Sequence, residues 1–261
     1  MTLNATIFPD LDLPTIAVDY TGLVLGPDGS SPDLLARRMG VYSNLLTDRL
    51  RQEGAWYVPR RIVVGHSFGG MLALRWWLDH GGAGVARIDG MVLMGATAGP
   101  MYDVVRLRLA RFRGREFRIG IATILRHWNR PAVTRLIKRL LSGGSPDAHP
   151  VDFRSLNRPS DWALDRAGWK NTDWRSMRSY RLALEGFDVR ERLAEIDVPV
   201  IVLHGAEDTL FPPEVGRALA SGLPQADLRT VPGAGHALPL THGGEVVKAV
   251  EDLTASRFGG R

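Results

Sequence analysis

Apolar positions along the chain fall into short runs rich in β-branched residues, alternating with longer stretches in which they recur at helical spacing. PTIAVDY at 14–20, RIVVG at 61–65, IDGMVLMGA at 88–96, VPVIVLHGAED at 198–208 and ADLRTVPGAGH at 226–236 read as strands with their following loops. Between the first two, Leu34, Leu35, Val41, Leu45, Leu46 and Leu50 form an approximate helical stripe over 33–53, with Ser31 or Asp33 as capping candidates. GGMLALRWWLDH at 69–80 is rich in helix formers and stops at Gly81-Gly82, and its Trp76 and Trp77 are expected to pack it against its neighbours. A short helix from Pro213 to Ser221 and a last one over 243–256 complete the pattern. Strands alternating with helices predict an α/β fold, a mostly parallel sheet flanked by helices.

The alternation breaks at Gly99. Residues 99–185 read as several arginine-rich amphipathic helices separated by Pro and Gly, so the chain divides into a core, 1–98 and 186–261, and an inserted helical cap, 99–185. Charge sharpens this division. The whole chain of 261 residues carries a formal +5, but residues 101–181 hold 18 Lys/Arg against 7 Asp/Glu, leaving 15 against 21 elsewhere. No internal repeat is visible.

Composition excludes some chemistry. There is no cysteine, hence no disulfide, thiol nucleophile or cysteine-bound metal. No run approaches the roughly 18 apolar residues that span a bilayer, and no basic-then-apolar leader opens the chain, so a cytoplasmic location is the expectation. His66, His80, His127, His149 and His204 read as structural or surface groups, and no spacing suggests a metal or cofactor site. The basic surplus comes without a nucleic-acid-binding motif, which argues against that partner.

Gly65-His66-Ser67-Phe68-Gly69 satisfies G-x-S-x-G between an expected strand and an expected helix. A strand that reverses sharply into a helix crowds the positions two before and two after the serine, which explains the glycines. The same turn lifts the serine oxygen to the carboxyl edge of the sheet, above the positive end of the following helix. The bland reading, a helix-capping serine, stands beside this one.

Two further stations follow in order, HGAEDTLFP at 204–212 and PGAGHALP at 232–239. With GHSFGG at 65–70, they make the chain similar to the α/β-hydrolase superfamily, over about 14–98 and 186–256. The resemblance implies Ser67 as nucleophile, Asp208 as orienting acid and His236 as general base, in the chain order this fold uses. Glu207 is the rival for the acid and His242 for the base. The insertion matches only in position, as a cap that would cover the site as a lid.

Relatives build the oxyanion hole from two backbone N–H groups, one from the residue after the nucleophile, here Phe68, and one from a loop after an earlier strand. That earlier strand is not in this sequence, so the fold reads as an α/β-hydrolase fold shortened at its N-terminus. Two readings stand. In one, Met1 is an internal methionine of a longer chain and the second donor lies near Met1 or Thr2; in the other, the second donor is missing.

A serine at the elbow argues against the carboxylate-dependent dehalogenase and epoxide hydrolase chemistries of the superfamily. It points to hydrolysis of a small-molecule ester or thioester. Acyl transfer and carbon–carbon bond hydrolysis remain open with the same residues, as does a non-catalytic binding protein of this fold. The basic insertion suits an anionic lipid, an acyl-carrier protein or a carboxylate-bearing ester, or is simply a solvated face.

Overall fold

The computed structural model describes residues 15, 39–58, 60–81, 88–100, 106–112, 115–120, 183–184, 186–208 and 210–258. All of the strand expected at 14–20 but Thr15, most of the insertion and the N-terminal residues Met1 and Thr2 lie outside the described residues.

Among the described residues, four parallel strands form the main sheet: β1 (Ile62–His66), β2 (Gly90–Met94), β5 (Val200–Gly205) and β6 (Ala226–Val231), in the order β1-β2-β5-β6. Val64 pairs with Val92, Val92 with Ile201 and Ile201 with Asp227, so the strands run in step and end at one edge. Every residue of β2 and β5 is buried, which is why both read as uninterrupted apolar runs.

The pleat divides these side chains between two cores. Met91, Leu93, Val200 and Val202 face one, shared with α1 (Met39–Gln52), α2 (Phe68–Trp76) and α3 (Pro213–Gly222). Val92, Met94, Ile201 and Leu203 face the other, closed by α4 (Leu238–Thr241) and α5 (Gly243–Phe258). Trp76, only 2% exposed, packs in the first core while its indole N–H donates to Thr47 Oγ1 on α1 at 2.8 Å, which satisfies the polar end of a buried ring. Trp77 is buried beside it, as the sequence suggests. Truncating a side chain such as Leu93 to Ala would cost about 2–5 kcal/mol.

Elsewhere the sequence and the structure part. Where amphipathic helices are expected, β3 (Arg106–Phe112) and β4 (Arg115–Gly120) form an antiparallel pair, corrected from helix to strand. The reason is in the sequence: Arg106-Leu107-Arg108-Leu109 alternates with a period of two. The register shifts between Arg108 and Ala110, leaving an extra residue in β3. Of the rest of the expected cap, 99–100 and 183–184 are described, with Ala183 and Leu184 buried, and the remainder lies outside the described residues.

Candidate active site

The sheet's carboxyl edge gathers three loops, and each carries one of the residues singled out in the sequence. Ser67 follows β1, Asp208 lies three residues beyond β5, and His236 lies five beyond β6.

Ser67 is held in a conformation that L-residues avoid. Its φ of 52° and ψ of −117° make it the one non-glycine residue with positive φ among those described. Such a conformation costs on the order of 1–3 kcal/mol and persists where the surroundings impose it. Here they do. The Ser67 N–H donates to the Met94 carbonyl at 2.8 Å, and α2 begins at once with Phe68. The turn is so tight that a Cβ on Gly65 would lie 2.6 Å from the Gly69 carbonyl oxygen, and one on Gly70 would lie 2.6 Å from Ala96 Cβ. Ser67 occupies the N-cap position of α2 but makes no side-chain capping bond, so its hydroxyl is turned elsewhere.

It is turned to His236. Ser67 Oγ and His236 Nε2 are 3.0 Å apart, and His236 Nδ1 is 2.9 Å from Asp208 Oδ2. An ionised carboxylate only accepts, so Nδ1 carries the proton; Nε2 of the neutral ring is then the acceptor and the Ser67 hydroxyl the donor. The Asp208 side chain is fully buried and that of His236 is 19% exposed, which places the fixed end of the chain inside and the reactive end toward solvent.

Asp208 is anchored through its other oxygen. Oδ1 accepts the N–H groups of Leu210 at 2.9 Å and Phe211 at 2.8 Å. Burial alone would raise its pKa, but the hydrogen bond and charge of His236, the Phe211 N–H and His204 together hold the carboxyl below its ordinary value. Glu207 is exposed, and only its backbone N–H participates, donating to the Ala234 carbonyl at 2.9 Å. His242 is instead bonded to Thr241 Oγ1 at 2.8 Å. Geometry therefore brings together Ser67, Asp208 and His236 and leaves both rivals out.

The loop before His236 approaches β5 closely enough that a Cβ on Gly205 would lie 2.4 Å from the Ala234 carbonyl oxygen. The Phe211 ring, fully buried, meets the His236 imidazole edge-on at 5.3 Å.

Two histidines that the sequence leaves as structural or surface groups belong to this site. His66 Nε2 lies 2.7 Å from the carbonyl oxygen of His236, and the two rings are 4.9 Å apart. His66 is held down to about 3, first by burial and then by the neighbouring His236, so it is neutral. His204, 1% exposed, has Nε2 2.8 Å from the Phe211 carbonyl, bracing the turn that anchors Asp208. The signal available for both was their place at the ends of apolar strands that enter the two motifs.

Phe68, whose N–H is the expected oxyanion donor, is the first residue of α2, and its ring meets Tyr42 edge-on at 5.3 Å. The second donor expected at Met1 or Thr2 is outside the described residues. Among the described residues, no group of three or more His, Asp or Glu side chains is placed to hold a metal ion.

The model of the alpha/beta hydrolase family matches residues 3–249. A Variovorax paradoxus protein named "Putative carbamate hydrolase RutD" is 25% identical over 250 residues, covering 92% of this chain and 80% of that protein. A Caulobacter protein of the same name is 42% identical over 190 residues, covering 70% of this chain and 61% of that protein. Among solved structures, a hydrolase from Oleispira antarctica superposes with a TM-score of 0.66 at 19% identity, covering 96% of this chain and 85% of that one, a likeness of fold.

Proposed function

The chain belongs to the alpha/beta hydrolase family, and from that premise we propose that it is a serine hydrolase cleaving a carboxylic ester or thioester through an acyl-enzyme on Ser67. The observation that carries this reading is the ordered chain of hydrogen bonds from Ser67 Oγ through His236 to a buried Asp208.

Ser67 Oγ attacks the carbonyl carbon as its proton passes to His236 Nε2, and Asp208 stabilises the imidazolium and fixes its orientation. Negative charge on the carbonyl oxygen turns toward the Phe68 N–H at the positive end of α2. The tetrahedral intermediate collapses, expelling the alcohol or thiol, which leaves with the proton from His236. Water then attacks the acyl carbon, giving its proton to His236, and a second collapse releases the carboxylic acid and restores Ser67. Asp208 remains ionised throughout.

The basic surplus of residues 101–181 favours an acyl group, or a carrier of one, that bears negative charge. The names of the two relatives refer to carbamates, whose carbonyl joined to a heteroatom is open to the same attack; carbamates therefore belong beside esters and thioesters in any test.

A fluorophosphonate probe labels serine hydrolases at the activated serine. The wild-type chain is expected to label promptly and Ser67→Ala not at all. A folded wild-type chain that stays unlabelled, or a Ser67→Ala variant that labels equally, would overturn the proposal. An acyl-chain-length series of aryl esters, thioesters and carbamates then identifies the substrate class.

A further inference from the structure

We propose that His66 is a positioning residue: by donating Nε2–H to the main-chain carbonyl of His236, it ties the base to the elbow, so that Ser67 and His236 are joined through the backbone as well as through their side chains. This rests on reading Ser67 and His236 as nucleophile and base.

Consider what has to be held. His236 follows β6 in a turn whose preceding residues are pinned to the end of β5, through Ala206 N–H to Val231 at 3.0 Å and Glu207 N–H to Ala234 at 2.9 Å. Ser67 is pinned to β2 through Met94. These ties orient each loop on a different strand, and none of them runs from one loop to the other. His66 makes that tie. It is the last residue of β1, covalently next to Ser67, and its 2.7 Å contact reaches the peptide of His236 itself.

The result is a closed ring. Its path runs from Ser67 Oγ to His236 Nε2, through the His236 side chain to its own carbonyl, across to His66 Nε2 and back along one peptide to Ser67. A ring closed at two points resists the shear that either bond alone would permit, and misplacement by about 1 Å at a reacting centre can cost a hundredfold in rate.

The chemistry of the donor fits this task. A carbonyl only accepts, so His66 must present Nε2–H, and the neutral ring does so without placing a cation 4.9 Å from an imidazole that has to become positive during catalysis. His236 and Asp208 are the titratable groups whose charges act on His66. Burial and the His236 ring disfavour its protonation, in keeping with a neutral donor.

The first test needs no variant. Histidine side-chain 15N NMR of the wild-type protein at neutral pH is expected to show His66 neutral with its proton on Nε2. A proton on Nδ1 alone would overturn the proposal.

The second compares His66→Gln, which keeps an N–H at similar reach, with His66→Leu, which removes it. His66→Leu is expected to lower kcat on an aryl ester about ten- to hundredfold, with KM changed less than about threefold, while His66→Gln stays close to wild type. Unchanged kcat in a folded His66→Leu, or equal losses in both variants, would overturn it. Where His66→Leu does not fold, the wild-type tautomer and the His66→Gln rate decide. Where the wild type neither labels nor turns over, the acyl-enzyme reading has failed, and the positioning claim is decided by NMR. The low-field proton on His236 Nδ1 should then persist in His66→Gln and shift or vanish in His66→Leu; an unchanged resonance in His66→Leu contradicts it.

Discussion

Gly95 lies directly against the imidazole of His236: a Cβ added to Gly95 would stand 3.2 Å from Nδ1 and 3.5 Å from Asp208 Oδ2. Gly95 follows β2 with a φ of 48°, a conformation that suits glycine, and its N–H donates to the Leu203 carbonyl at 3.2 Å. Both the backbone and the neighbouring ring exclude a side chain here. Gly95→Ala is therefore expected to lower stability by about 1–2 kcal/mol through the left-handed conformation, and to displace the ring enough to lower kcat about tenfold or more. Denaturant melts and aryl-ester kinetics on one preparation check both.

Ser67 stores strain that its removal should release. Ser67→Gly relieves the positive φ and is expected to raise stability by about 1 kcal/mol or more, whereas Ser67→Ala keeps the strain and gains little. Both should lower kcat by about a millionfold, as losing a nucleophile does. A shift of the urea midpoint at constant slope, seen for glycine and not for alanine, is the result to look for.

Asp208→Asn separates charge from anchoring. The amide oxygen can still accept from Leu210 and Phe211, but the amide N–H then faces His236 Nδ1, which must become an acceptor. The ring's proton moves to Nε2, where it cannot take the Ser67 proton. A loss of about ten-thousandfold in kcat with little change in KM is expected, measurable in the same ester assay.

Acid should destabilise the fold in two windows. Unfolded His66 titrates near 6.5 and the folded group at about 3, so between these values the unfolded chain holds one more proton and stability falls as pH falls. This group alone contributes up to about 1.4 kcal/mol per pH unit. Asp208, whose carboxyl is lowered in the fold, adds stability that is present above its ordinary value of 3.8 and is lost as pH falls through its lower folded value. His66→Gln removes the first contribution and keeps the second. Urea midpoints followed from pH 7 to pH 4 should decline less steeply in the variant; equal slopes would contradict a neutral His66.

The elbow was legible in the sequence because its tightest requirement is local: a Cβ on Gly65 would meet the backbone of Gly69 and Gly70, four and five residues on. Asp208 and His236 were legible through HGAEDTLFP and PGAGHALP, the two motifs that carry the resemblance. His66 was not, since the carbonyl it meets belongs to a loop that returns only through tertiary structure, 170 residues away; His204 meets a carbonyl seven residues on, but only the folded turn at Phe211 brings it back to the ring. The pair β3 and β4 was missed for another reason. Arginines interleaved with Leu107, Leu109 and Phe112 fit an amphipathic helix by composition, while the period of two at 106–109 is that of a strand. Gly70, held against Ala96 Cβ, carries a close approach that the G-x-S-x-G pattern does not name.

The measurement that tests the acyl-enzyme most directly is mass spectrometry of the chain quenched during turnover of an aryl ester. The account predicts a mass gain equal to the acyl group on the peptide containing Ser67, formed as the phenol is released, and absent in Ser67→Ala. Turnover that continues undiminished in Ser67→Ala, or an acyl group carried on any other residue during productive turnover, would contradict it.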